Sequence, residues 1–191
     1  MDWDLPLEIE VNGQKHPIRN DCDFRVILDV LYTLKDEELP EIIRLSSALE
    51  IFLASGEHKK IGDFAEAVNK MFEVINAGKK EKQSGGNGTG ERKAKTSDWE
   101  HDYQLICSAM ITVLGYDVRD PRRFTHWYTF TSAMGELPEN STYMFIIGIR
   151  QKLNAGKKLE KHEEKFYREN HELVDLPLEL TEEEEELFAL M

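Results

Sequence analysis

Apolar and polar positions alternate at the start of the chain: Leu5, Leu7, Ile9 and Val11 fall on one side, Glu8 and Glu10 on the other. A period of two is the mark of a half-buried strand, since successive side chains point to opposite faces. Asn12-Gly13 follows, a pair that accepts the positive φ angles of a tight hairpin turn, and the chain resumes through His16, Pro17 and Ile18. The pattern predicts a short β-hairpin. Pro17 has no amide to give to a ladder, so the second strand is expected to lie at an edge or to end early.

From Asp23 the period lengthens to that of a helix. Phe24, Ile27, Leu28 and Leu31 share a face, with Asp21 or Asp23 placed to cap the first turn. After the break at Asp36-Glu37-Glu38-Leu39-Pro40, a second helix presents Ile42, Leu45, Leu49, Phe52 and Leu53 and stops at Gly56. A third opens near Asp63, presents Phe64, Val68, Met71, Phe72 and Ile75, and stops at Gly78. Three amphipathic helices can close over one face of the hairpin as a small α+β unit, residues 1–78.

Residues 79–95 hold four glycines and no large apolar side chain, so they cannot recover the entropy of ordering and read as a flexible, basic Gly/Lys-rich linker. Helical spacing returns over residues 96–174. Ser97 and Glu100 have the spacing of a capping box ahead of the stripe Tyr103, Ile106, Cys107, Met110, Val113 and Leu114. Phe124, Trp127, Tyr128, Thr131 and Met134 describe the next helix; Phe145, Ile146, Ile149 and Leu153, capped by Asn140 or Ser141, describe another. Lys157 to Glu172 carries Leu159 and Phe166 on one face, with Leu173 following. The expected fold is mainly α: an N-terminal β-hairpin, then about seven amphipathic helices in two helical parts joined by the linker. An acidic tail, residues 175–191, completes the chain.

Composition narrows the class. With 32% charged residues and no apolar stretch near the roughly 20 residues that span a bilayer, the chain does not read as a membrane protein. Met1-Asp2-Trp3-Asp4 is acidic where a secretory signal would be basic, so a cytosolic protein is expected. Cys22 and Cys107 match no zinc or redox spacing and read as free thiols used as small hydrophobes. The net charge of −13 is uneven: −8 over residues 1–78, +4 over the linker, −2 over 96–174 and −7 over the tail. An acidic surface repels phosphate backbones, which leaves the basic linker as the one place for a nucleic-acid contact and makes that role a minor alternative.

Candidate chemistry is sparse. His101-Asp102 resembles paired metal ligands, but it sits in the first turn of a helix where acids favour the dipole. His162 and His171 lack the zincin spacing. No catalytic, cofactor or metal site is expected. The run Thr125-His126-Trp127-Tyr128-Thr129-Phe130 is a cluster of bulky rings with no nucleophile or phosphate loop beside it, and points to packing and partner contact. His126, Trp127, Tyr128 and Phe130 are therefore partner-binding candidates. Helical spacing assigns Phe124, Trp127 and Tyr128 to the core and leaves His126 and Phe130 as the exposed members. Arg150 is expected to pair with Asp117 or Asp120 in a structural role. In the tail, Thr181 caps Glu182 to Glu186, and Leu187, Phe188, Leu190 and Met191 form a second candidate contact; a frayed, solvated tail is the alternative.

The order Asp102-Tyr103, Ala109, Gly115-Tyr116-Asp117-Val118, His126-Trp127-Tyr128-Thr129-Phe130, Leu137-Pro138 and Ile147-Gly148-Ile149-Arg150 resembles the tail assembly chaperones of long-tailed bacteriophages (siphophages). The hairpin from Leu5 to Ile18 leading into Asp23-Phe24-Arg25, and Ala77-Gly78-Lys79-Lys80 ahead of the linker, agree with it. The likeness covers residues 3–175 and departs in linker length and in the acidic C-terminal end. In those genomes the gene lies between the major tail protein and the tape-measure protein. The resemblance implies a non-enzymatic protein of the host cytoplasm during virion assembly. It would coat the tape-measure protein before the tail tube polymerises, with self-association and the major tail protein as further contacts. A minor structural component of the virion tail is the alternative.

Overall fold

The structure, a computed structural model, describes residues 4–77 and 95–177. Most of the linker and the tail from residue 178, including Leu187, Phe188, Leu190 and Met191, lie outside the described residues. The protein is mainly helical with an N-terminal β-hairpin. It forms two compact units: the first takes the described residues up to 77 together with Val118–Glu136, the second those from 95 to Asp117 and from Leu137 to 177. The segment 118–136, expected within the second helical part, thus belongs to the first unit.

In the first unit, β1 (Glu8–Val11) and β2 (Gln14–Pro17) pair antiparallel with Val11 opposite Gln14. Asn12 and Gly13 turn the chain at φ 50° and 76°, the geometry that this dipeptide favours. Ile9 and Val11 point into the core, while Leu5 and Leu7, expected on the same face, are 46% and 48% exposed because they precede the ladder. The second strand ends at Pro17, whose carbonyl accepts the Ala54 amide at 2.9 Å.

Helix α1 (Phe24–Lys35) starts from Asp23, whose carboxylate accepts the Arg25 amide, and α2 (Glu41–Phe52) packs along it. Helix α3 (Phe64–Ile75), capped by Asp63, lies against β1 and buries Ala67, Val68, Met71, Val74 and Ile75. The buried face of α1 is Phe24, Val26, Ile27 and Val30, with Leu28 and Leu31 only half-buried. That face is wider than the expected stripe because α1 is covered on two sides, by α2 and by the helix that follows Val118.

The second unit begins with α4 (Tyr103–Leu114), which buries Ile106, Cys107, Ala109 and Met110 and ends at Gly115 in the left-handed conformation. Its entry differs from the expected capping box: Asp98 accepts the amides of Glu100 and His101, and the Ser97 hydroxyl instead meets the Tyr143 hydroxyl at 2.8 Å. In chain order α5 (Trp127–Gly135) belongs to the first unit, and α6 (Thr142–Asn154), capped by Ser141, to the second. The helix expected over Lys157 to Glu172 is α7 (Lys161–Glu169) followed, after a break at Asn170, by the single turn α8 (His171–Val174). Leu159, Phe166 and Leu173 do share a face, packed on Ile146, Ile149 and Val174.

Candidate functional site

The start of α1 is tied to a loop distant in sequence. The Arg25 guanidinium holds Asp23 at 3.1 Å and donates to the carbonyls of Val118, Asp120 and Arg123, while its charge lies 4.7 Å from the centre of the Phe24 ring. Asp23 also accepts the Thr125 amide, and the Phe24 amide donates to the Thr125 carbonyl at 2.9 Å. The loop of residues 118–124 is therefore anchored at the N-terminal end of α1.

This anchoring positions the aromatic run. Phe130 stacks on Phe24 with centroids 4.4 Å apart and lies 5.9 Å from the Trp127 ring, whose Nε1 donates to the Ile75 carbonyl at 2.8 Å. His126 caps α5 by accepting the Tyr128 amide at Nδ1, so Nε2 carries the proton and donates to the Pro6 carbonyl at 3.1 Å. The expected exposure is reversed: His126 and Phe130 are each 2% exposed, Tyr128 is half-buried, and Phe124 is 56% exposed. The helix begins at Trp127, one turn later than the spacing indicated, so Phe124 falls in the loop before it. The ring cluster is core, with Trp127 buried as expected.

Apolar surface emerges at the other end of α1. Along α2 the stripe read from the sequence runs from Phe52 and Leu49, both buried, through half-buried Leu45 to Ile42, which is 59% exposed. Along α1 burial fades from Ile27 and Val30 to half-buried Leu31 and Leu34. A core stripe that outruns its cover leaves an apolar tip made of Leu39, Ile42 and Ile43, beside which stand Asp36, Glu37, Glu38 and Glu41. Composition alone did not single out this tip. The signal was present in the helical stripe, which continues to Ile42 while burial ends at Ala48.

The second unit has its own polar centre. Arg150, 3% exposed, forms a two-pronged pair with fully buried Asp102 at 2.7 and 2.8 Å and donates further to the carbonyls of Thr96, Leu173 and Val174. The expected partner was Asp117 or Asp120; burial decides otherwise, since a guanidinium out of water needs a carboxylate buried with it. Asp102 is thereby committed to Arg150, and His101 Nε2 lies 3.3 Å from the Leu173 carbonyl. Nearby, Lys152 meets buried Glu163 at 2.6 Å. That hydrogen bond, and the Glu160 amide after it, hold the Glu163 carboxyl below its ordinary range against the opposing effect of burial.

Among the described residues no three or more His, Cys, Asp or Glu gather as a metal site, and no helix is long and apolar enough to cross a membrane. Both cysteines are buried, and burial pushes the Cys22 thiol up to about 12. The model of the Bacteriophage Gp15 protein family matches residues 1–176. The chain belongs to that family. No curated protein and no solved structure matches it. In this Gp15 family member the polar side chains at the two centres are spent on neighbouring backbone and on each other, and among the described residues the tip of α1 and α2 is a place where three large apolar side chains, Leu39, Ile42 and Ile43, are exposed close together in sequence.

Proposed function

We propose that the protein is a tail assembly chaperone that coats the tape-measure protein before the tail tube polymerises around it, acting in the host cytoplasm without enzymatic chemistry or cofactor. Membership of a bacteriophage family supports the setting. The observation that carries the role is the apolar tip, where Ile42, at the end of a stripe whose Leu49, Phe52 and Leu53 are core, and its neighbour Ile43 are 59% and 47% exposed. A tape-measure chain is long and helical, and until it is enclosed it presents apolar stripes. Helix-in-groove contact covers such stripes, and many copies on one chain gain avidity from weak single contacts. The net charge of −13 keeps a crowded complex soluble.

Co-expression with the tape-measure protein tests the reading. A chaperone brings the tape-measure protein into the soluble fraction and co-purifies with it, and the variant Ile42→Asp/Ile43→Asp does so less well. A tape-measure protein that stays insoluble beside the wild-type chain contradicts the role.

A further inference from the structure

In the second unit the outer face of α7 carries a line of bases. Lys161, Lys165 and Arg168 recur four and three residues apart, a spacing that sets them along one side of the helix, and all three are exposed. Lys157 and Lys158, also exposed, stand just before the helix. None of these five bases forms an ion pair among the described residues. Glu160 and Glu163 are engaged by the capping box and by Lys152, and Glu164 and Glu169 fall to either side of the line. Lys152 also holds the end of α6 beside the start of α7, where Leu153 is 37% exposed. At the other end of α7 the Tyr167 hydroxyl donates to the Asp175 carboxylate at 2.9 Å, so the chain passes on to residues 178–191 from the Arg168 end of the helix.

We infer that residues 178–191 of the same chain seat on this face, running back along α7 with Glu182 to Glu186 against the bases and with Leu187 and Phe188 at Leu153. Charge and reach both select this occupant. The segment holds six glutamates among its 14 residues and no base, while the net charge of −13 keeps free polyanions away from the molecule. It also starts where the line of bases ends. Its 14 residues cover about 21 Å as a helix and more when extended, against about 14 Å for the nine residues of α7. Joined to α8, it meets the bases at an effective concentration of roughly millimolar order. Seated, it neutralises the bases and takes Leu187 and Phe188 out of water. The seating rests on this unit alone and does not depend on the tape-measure reading.

Cleavage of the full chain by a glutamate-specific protease, read by mass spectrometry, tests the seating. Cuts at Glu182 and Glu183 are expected to be ~10-fold faster in the variant Lys161→Gln/Lys165→Gln/Arg168→Gln than in the wild type, with far-ultraviolet circular dichroism unchanged. If the triple variant loses its fold, Lys161→Gln/Lys165→Gln takes its place. A zero-length carbodiimide is expected to join carboxylates of the segment to Lys161 or Lys165 within single chains, with a yield that does not change on dilution and falls in high salt. The variant Leu187→Ser/Phe188→Ser is expected to lower that yield several-fold. A segment cut as fast in the wild type as in the triple variant overturns the seating, and retention of duplex DNA by that wild type would give the bases to phosphate instead. Cross-links that form only between chains, or that fade on dilution, overturn it in favour of another copy's segment. So does a yield that Leu187→Ser/Phe188→Ser leaves unchanged.

Discussion

Arg150 and Asp102 meet through two hydrogen bonds of 2.7 and 2.8 Å with almost no solvent access to either side chain. The guanidinium also reaches carbonyls at Thr96, Leu173 and Val174, so one side chain ties the entry of α4 to the end of α8. Removing one partner of a buried pair strands the other charge, which costs about 3–5 kcal/mol. Asp102→Ala and Arg150→Met are each expected to destabilise the protein by that amount in urea unfolding. The double variant Asp102→Ala/Arg150→Met should lose less than the two singles added together. Strictly additive losses would show that the pair is not coupled.

The aromatic run gives a contrast within one short segment. Phe130 is stacked between Phe24 and Trp127, and truncating such a ring to alanine costs about 3–5 kcal/mol. Phe124, 56% exposed, is expected to cost less than about 0.5 kcal/mol when changed to alanine. Equilibrium denaturation of the two variants checks the order, and equal losses would mean that the ring cluster is packed differently.

Acid should act on the second unit through Glu163. Its folded pKa lies below the ordinary 4.5, with the Lys152 hydrogen bond as the largest cause. A carboxyl of this kind contributes stability that is fully present above the ordinary value and is lost as pH falls through the lower folded one. The stability gap between wild type and Glu163→Gln is therefore expected to be constant near neutral pH and to close below pH 4.5. A gap that is unchanged down to acid unfolding would contradict the pairing.

Both thiols should be silent in the folded protein. Cys22 is fully buried with its pKa near 12, and Cys107 is 1% exposed. Since the thiolate is the reactive form, labelling by an aromatic disulfide reagent is expected only at the rate of unfolding. Fast labelling at neutral pH without denaturant would show that either residue is accessible.

How much of this was legible in the sequence follows the range of the interactions concerned. Asn12-Gly13 turns the hairpin through its own backbone preference, and the stripes of α2 and α3 are periodic over a dozen residues, so pattern reading recovered them. Arg150 finds Asp102 48 residues away, and the Phe24 stack on Phe130 crosses more than 100; local spacing carries neither. The error at Phe124 and His126 has the same origin. Helical spacing places both on the helix, but the Phe24 amide and the Asp23 carboxylate hold the Thr125 backbone, His126 bridges to Asp23 at φ −60° and ψ 144°, and the helix starts only at Trp127. The tip of α1 and α2 was visible as a stripe but not as a surface, because what covers Leu49 and stops short of Ile42 is contributed by other elements.

The most direct test of the chaperone role is the mass of the soluble complex formed when the protein is co-expressed with the tape-measure protein and passed through size exclusion with light scattering. The account predicts one tape-measure chain carrying many copies of this protein. A tape-measure protein that precipitates while this chain elutes free of it would contradict the account.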